Sequence, residues 1–235
     1  MRFTQRELGK GMRLHLCETD KFKSLTCKVF IRQDLQAKDA TSTALLPLLL
    51  RRGSQKFPST LHIARELEDL YAAEFGVDIL KIGEQQILEL YMQMVDPSLV
   101  PQGERLLERG LKAFWEICTQ PQGPGDRFMD SYFEQEKSTL EQELKGLVND
   151  KNSYALARFV ALMCANEPFG IYKSGDLENL RQLENRDVYG HYQTLLAKHP
   201  IDIFCVGPNL DEVARLFTSL IPSHDHTIEL ELPQT

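Results

Sequence analysis

The alternation of apolar and polar positions changes period several times along this chain, and each change marks an element. Met12-Arg13-Leu14-His15-Leu16 alternates with period two, and Leu25-Thr26-Cys27-Lys28-Val29-Phe30-Ile31 does so again, the pattern of strands with one buried face. Joined by Glu18 to Lys23, the two are expected to form a hairpin or meander, with Cys17 and Cys27 on neighbouring strands. From Asp39 as N-cap a helix is expected to about Arg51, ending at Gly53; it is apolar on all sides from Ala44 to Leu50 and should be buried. Ser59 can cap a second helix, Leu61 to Ala73, with Leu61, Ala64, Leu67, Leu70 and Tyr71 as its stripe. The period returns to two through Phe75, Gly76, Val77, Asp78, Ile79, Leu80, Lys81 and Ile82, and again from Ile87 to Met94. With a turn at Gly83-Glu84-Gln85, this predicts an antiparallel pair.

Helical spacing resumes from Glu104 to Cys118, breaks at Gln120 to Gly125, and continues from Asp126 to about Val148, from Ser153 to Ala165 and within Gly175 to Lys198. Ile201-Asp202-Ile203-Phe204-Cys205-Val206 has a buried-strand signature, Asp211 to Leu220 is helical, and Thr227 to Leu232 alternates like a strand. Strands at both ends of a helical middle predict one α+β domain over residues 1–235, an antiparallel or mixed sheet covered by helices on one side.

Composition narrows the function classes. The net charge is -7 with no basic block, which argues against nucleic acid as a partner. The longest apolar run, Ala44 to Leu50, is far below the ~20 residues that cross a bilayer, so no membrane partner and a cytoplasmic protein are expected. The five cysteines, Cys17, Cys27, Cys118, Cys164 and Cys205, show no C-x-x-C spacing and fit buried small hydrophobes better than a disulfide framework or a zinc site.

The candidate chemistry sits on the long helix after Asp126. Turning ~100° per residue, it places Met129, Phe133, Leu140, Leu144 and Leu147 on one stripe with Glu136 and Glu143 at its edge. Carboxylates near a core need a cation, a donor or a metal. They are therefore either boundary residues paired with Arg or Lys, or remnants of a metal site. His224-Asp225-His226 reads as a polar turn, His62 and Glu66 as a surface pair, and Gly9-Lys10-Gly11, which follows no predicted strand and opens no helix, as no phosphate loop.

The order of elements, with a buried helix ending in Gly53-Ser54, a later helix with paired glutamates and a strand closing on Val206-Gly207-Pro208, resembles the amino-terminal half of the pitrilysin and mitochondrial-processing-peptidase-like family. Active members carry H-x-x-E-H on the first buried helix. Counting back from Gly53-Ser54 gives Ala44-Leu45-Leu46-Pro47-Leu48, so Ala44 and Leu48 stand at the two His positions and Pro47 at the Glu position. The resemblance makes Glu143 the counterpart of the third zinc ligand and Glu136 its companion. It implies a member that lacks zinc and does not hydrolyse peptides alone, since catalytic zinc needs about three protein ligands and a base. Its implied partners are an active paralogue or its own second half, and extended peptides taken along the strand Phe75 to Ile82. The alternatives are a peptidase with a non-standard metal set, such as Glu143 with His62 or the tail histidines, and a structural or peptide-binding module without a peptidase partner.

Overall fold

The computed structural model describes residues 3–9 and 11–221. Its strands are β1 (Thr4–Gly9), β2 (Met12–Glu18), β3 (Ser24–Asp34), β4 (Glu74–Ile82), β5 (Gln85–Val95) and β6 (Ile201–Gly207). Its helices are α1 (Ala37–Leu50), α2 (Thr60–Asp69), α3 (Gly103–Thr119), α4 (Asp130–Gly146), α5 (Lys151–Met163), α6 (Leu177–Gln182), α7 (Asn185–Lys198) and α8 (Leu210–Leu220). The strands form one sheet in the order β1-β2-β6-β3-β5-β4, in which only the β2–β6 pair is parallel. The fold is α+β with a mixed sheet, as the alternation predicts.

The period-two pattern decides which face is covered. Leu14 and Leu16 of β2, Leu25, Cys27, Val29 and Ile31 of β3, Leu88, Leu90 and Met92 of β5, and Ile201, Ile203 and Cys205 of β6 are all buried. They form one core with Leu107, Leu111 and Phe114 of α3, Val188 and Tyr192 of α7, and Val213 and Phe217 of α8. Burying one such side chain stabilises by roughly 1.5–3 kcal/mol, so this layer dominates the energetics.

Three sequence expectations are corrected. β2 and β3 are not neighbours, because β6 lies between them and pairs with both. A short connection suggested a hairpin, but the apolar β6 gains more by being flanked on both sides than β2 and β3 gain from each other. Cys27 consequently faces Cys205, with Sγ atoms 3.1 Å apart, whereas Cys17 lies opposite Val206. On α2 the buried positions are Ile63 and the following Leu70, while Leu61, Ala64 and Tyr71 are exposed; the helix ends at Asp69 and Tyr71 takes a left-handed φ of 59°, so of the expected stripe only Leu67 and Leu70 meet the core. The strand β1 carries almost no apolar signal, lying exposed at the sheet edge, and for that reason escapes the alternation pattern. It also places a strand before Gly9, yet the chain leads from there into β2 rather than a helix, so no phosphate loop results. The region 227–232, like His224 and His226, lies outside the described residues.

The uncovered face carries a polar key. Asp202 of β6 accepts from Arg13 Nη2 at 2.9 Å, lies 2.8 Å from His15 Nε2, and is 3.2 Å from Arg32 Nη2, so cations from both flanking strands converge on one carboxylate. His15 also stacks on Phe204 at 4.3 Å between ring centroids. Burial pushes the Asp202 pKa up, but hydrogen bonds from His15 and Arg13 and the charges of Arg13 and Arg32 outweigh it and hold the pKa below its ordinary value. A depressed carboxylate contributes stability above its unfolded-state pKa and loses it as pH falls through the folded-state value. Asp202→Asn should therefore cost about 1–3 kcal/mol at neutral pH, by urea unfolding, with the gap to wild type closing in strong acid. An unchanged midpoint at neutral pH contradicts this role.

Candidate functional site: a helix pair without metal ligands

The helix α1 is the best-buried helix, with ten of its residues from Ala40 to Leu50 shielded from solvent. Its amino-terminal half is held by a polar network that its composition alone does not reveal. Gln33 Nε2 donates to Thr43 Oγ1 at 2.7 Å and to Gln86 Oε1 at 2.8 Å, and Gln86 Nε2 donates to the Ala40 and Lys173 carbonyls at 3.1 and 2.6 Å. Thr43 Oγ1 also lies 2.7 Å from His191 Nε2 of α7. Burial lowers the His191 pKa, partly opposed by Asp39 and aided by His199 and Lys38. Buried amides must find partners, and these tie α1 to β3, β5 and α7 in one orientation. Gln33 and Gln86 sit opposite each other on β3 and β5, a cross-strand match visible only once the register is known.

In the second half of α1, Ala44 is buried, Leu48 is half-buried and Pro47 lies inside the helix. The helix runs through Pro47 as one element, although proline supplies no N–H to the Thr43 carbonyl. Beyond its end, Gly53 packs so closely that a Cβ there would stand 2.8 Å from the Phe57 and Pro58 backbone. This bend returns Arg52 toward α4.

The two glutamates of α4 have different fates. Glu136 is buried and accepts from Arg52 Nε at 2.5 Å, while Arg52 Nη2 reaches Gln135 Oε1 at 2.7 Å and its guanidinium lies 5.5 Å from the Tyr132 ring centroid. Glu143 is exposed. The expectation that both lie against the core is corrected for Glu143: the fully buried residues of α4 are Phe133, Glu136 and Leu140, and in the last turns it is Leu144, not Glu143, that packs against the core.

The residues present do not fit a catalytic metal. Ala44, Pro47 and Leu48 offer no donor atom, and Glu136 is committed to Arg52. Among the described residues, no group of three His, Cys, Asp or Glu side chains could hold a metal ion. His62 lies 2.7 Å from Ser59 Oγ, and Glu66 accepts from Arg109 at 2.7 and 2.8 Å, so each has a hydrogen-bond partner other than the other.

The strand β4, with Phe75 to Ile82, is the last strand beside β5. Gly76 is required within it, since a Cβ would fall 2.1 Å from the Tyr91 ring. The carbonyls of Val77 and Ile79 accept from Arg51 Nη2 and Lys173 Nζ at 2.6 and 3.0 Å.

The mixed sheet, with a buried helix packed against a later glutamate-bearing helix, is similar in fold to M16-like peptidase domains of known structure, and this chain carries no H-x-x-E-H. No family model matches the chain. It is 29% identical over 197 residues to the probable inactive metalloprotease YmfF of Bacillus subtilis (strain 168), covering 84% of this chain and 46% of that protein. Among solved structures, a conserved protein from Enterococcus faecalis V583 matches with a TM-score of 0.89 at 27% identity, over 94% of this chain and 52% of the other. A peptidase M16 inactive domain from Pseudomonas fluorescens matches with a TM-score of 0.76 at 14% identity, over 100% and 54%. The chain thus spans about half the length of the relatives it matches.

If Arg52 serves Glu136 in place of a metal, the two must be coupled. Arg52→Met should cost about 2 kcal/mol by leaving a carboxylate buried without a cation, and the Arg52→Met, Glu136→Met double variant should recover most of it. Additive losses in urea unfolding would contradict the pairing.

Proposed function

We propose that this chain is a zinc-less pitrilysin-type homologue that binds extended peptides without hydrolysing them. It works beside an H-x-x-E-H-bearing paralogue or a second homologous half. The observation that carries this reading is the donor-free face of α1: Ala44, Pro47 and Leu48 supply neither ligands nor a base, while Arg52 neutralises the one buried glutamate of α4. The scaffold around that face is intact, which supports a retained binding role. The relative from Bacillus subtilis is described as a probable inactive metalloprotease, which agrees.

Two features support a partner. The chain covers about half of its relatives' length, and α5 buries no residue at all, leaving Leu156, Phe159, Leu162 and Met163 exposed. Apolar surface of this kind marks an interaction site. Peptide is expected along β4, where a strand can add to a sheet edge through main-chain hydrogen bonds. A cytoplasmic setting belongs to the same reading and fits five cysteines without a disulfide; among the described residues no helix is long and apolar enough to cross a membrane.

The test is a titration of the chain with extended peptides, alone and with an H-x-x-E-H-bearing homologue, followed by mass spectrometry of the peptides. Binding without cleavage by the chain alone, and cleavage only with the homologue present, is the expected result. Cleavage by the chain alone, or no binding in either case, overturns the reading.

A further inference from the structure

The open edge of β4 is guarded by cations that have no anion. In an antiparallel edge strand, alternate residues turn both N–H and C=O away from the neighbouring strand. Val77 and Ile79 have the same parity, and their carbonyls meet Arg51 Nη2 and Lys173 Nζ rather than β5. The Ile79 N–H is also taken, donating to Asp78 Oδ1 at 2.7 Å. Lys81, further along the same strand, donates through Nζ to the Phe169 and Ile171 carbonyls at 2.5 and 2.8 Å and lies 4.3 Å from the Phe169 ring centroid. The three cations come from three segments, the residue that follows α1, the edge strand itself and the loop before α6. None of them forms an ion pair among the described residues; each is satisfied by neutral carbonyl oxygens. Burial lowers the Lys81 pKa, with only a smaller opposing effect from Cys164, and the carboxylate nearest the guarded carbonyls, Asp78, is held by the Ile79 N–H.

This arrangement changes what a peptide must bring. An incoming strand can reach the Val77 and Ile79 carbonyls only by displacing Arg51 and Lys173. Exchanging one hydrogen bond for another gains little in water, so a neutral peptide has small reason to bind. A peptide with carboxylates gives the displaced cations charge-assisted hydrogen bonds, which are stronger than those to neutral carbonyls. A basic peptide meets like charge, and the guard becomes a means of rejection.

We infer that the β4 edge, guarded by Arg51, Lys81 and Lys173, selects extended peptides that carry acidic side chains at alternate positions. The alternation follows from the edge itself, because the two guarded carbonyls are two residues apart, roughly 6.5–7 Å along a strand. The inference rests on β4 being the peptide-binding edge.

Fluorescence anisotropy of the full chain with three labelled peptides of about ten residues, identical except for Glu, Gln or Lys at alternate positions, tests it. The Glu peptide should bind at least about tenfold more tightly than the Gln peptide, the Lys peptide more weakly still, and the Glu advantage should shrink as salt is raised. In the Arg51→Met, Lys173→Met variant the Glu-to-Gln ratio should fall toward one. The wild-type comparison stands whether or not that variant folds. Equal binding of the Glu and Gln peptides to wild type overturns the acidic selection while leaving peptide binding in place. Absence of binding by all three, to wild type and variant alike, overturns the peptide-edge reading and this inference with it.

Discussion

The insertion of β6 between β2 and β3 is the constraint on which the rest of the molecule depends. Until Ile201–Gly207 arrives, the first two long strands have no common partner, and the sheet is split into a β1–β2 hairpin and a three-stranded β3–β5–β4 piece. The insertion is specified on both faces. Ile201, Ile203 and Cys205 complete the covered core, while Asp202 gathers Arg13, His15 and Arg32 on the other side. A shift of β6 by one residue would exchange these faces, putting a carboxylate into the core and apolar side chains among cations. That contact spans 189 residues of sequence between Asp202 and Arg13, so the sheet cannot close until β6 is available.

With the sheet closed, α1 has a surface to lie on, and its polar side chains tie it to that surface. On α1, Ala44, Pro47 and Leu48 offer no metal donor, and the neighbouring α4 keeps Glu136 through a cation from the chain itself. No uncompensated charge is therefore left where the two helices meet. The other glutamate, Glu143, faces solvent, where an ionised carboxylate costs nothing. At the sheet edge, Arg51 and Lys173 likewise cap the outward carbonyls of Val77 and Ile79 on β4.

Much of this was legible in the residues. Alternation located β2, β3, β4, β5 and β6 and the face each buries, and helical spacing located α1, α3, α4 and α8. Three kinds of information were not local. Strand order depends on a contact between the two ends of the chain, so β2 and β3 read as neighbours and Cys17 was matched with Cys27 instead of Cys205 with Cys27. On α2 only Leu67 and Leu70 of the expected stripe meet the core, whereas Ile63, off that stripe, is buried, because the face a short helix buries depends on what packs against it. Burial at the end of α4 depends on what lies beside it, so a seven-residue spacing placed Glu143 with Glu136 although only Glu136 is covered. Within the site, the absence of H-x-x-E-H was readable, whereas the Arg52–Glu136 pair, the Gln33–Gln86–Thr43 network and the cationic guard on β4 all join residues far apart in sequence.

Whether α1 and α4 pack together without a metal is decided by equilibrium dialysis of the purified chain against zinc, with metal content read by mass spectrometry. A pair held by Arg52 and Glu136 should retain far less than one zinc per chain, unchanged in Glu143→Ala; one tightly held zinc per chain that is lost in Glu143→Ala is the opposite result and rules such a pair out.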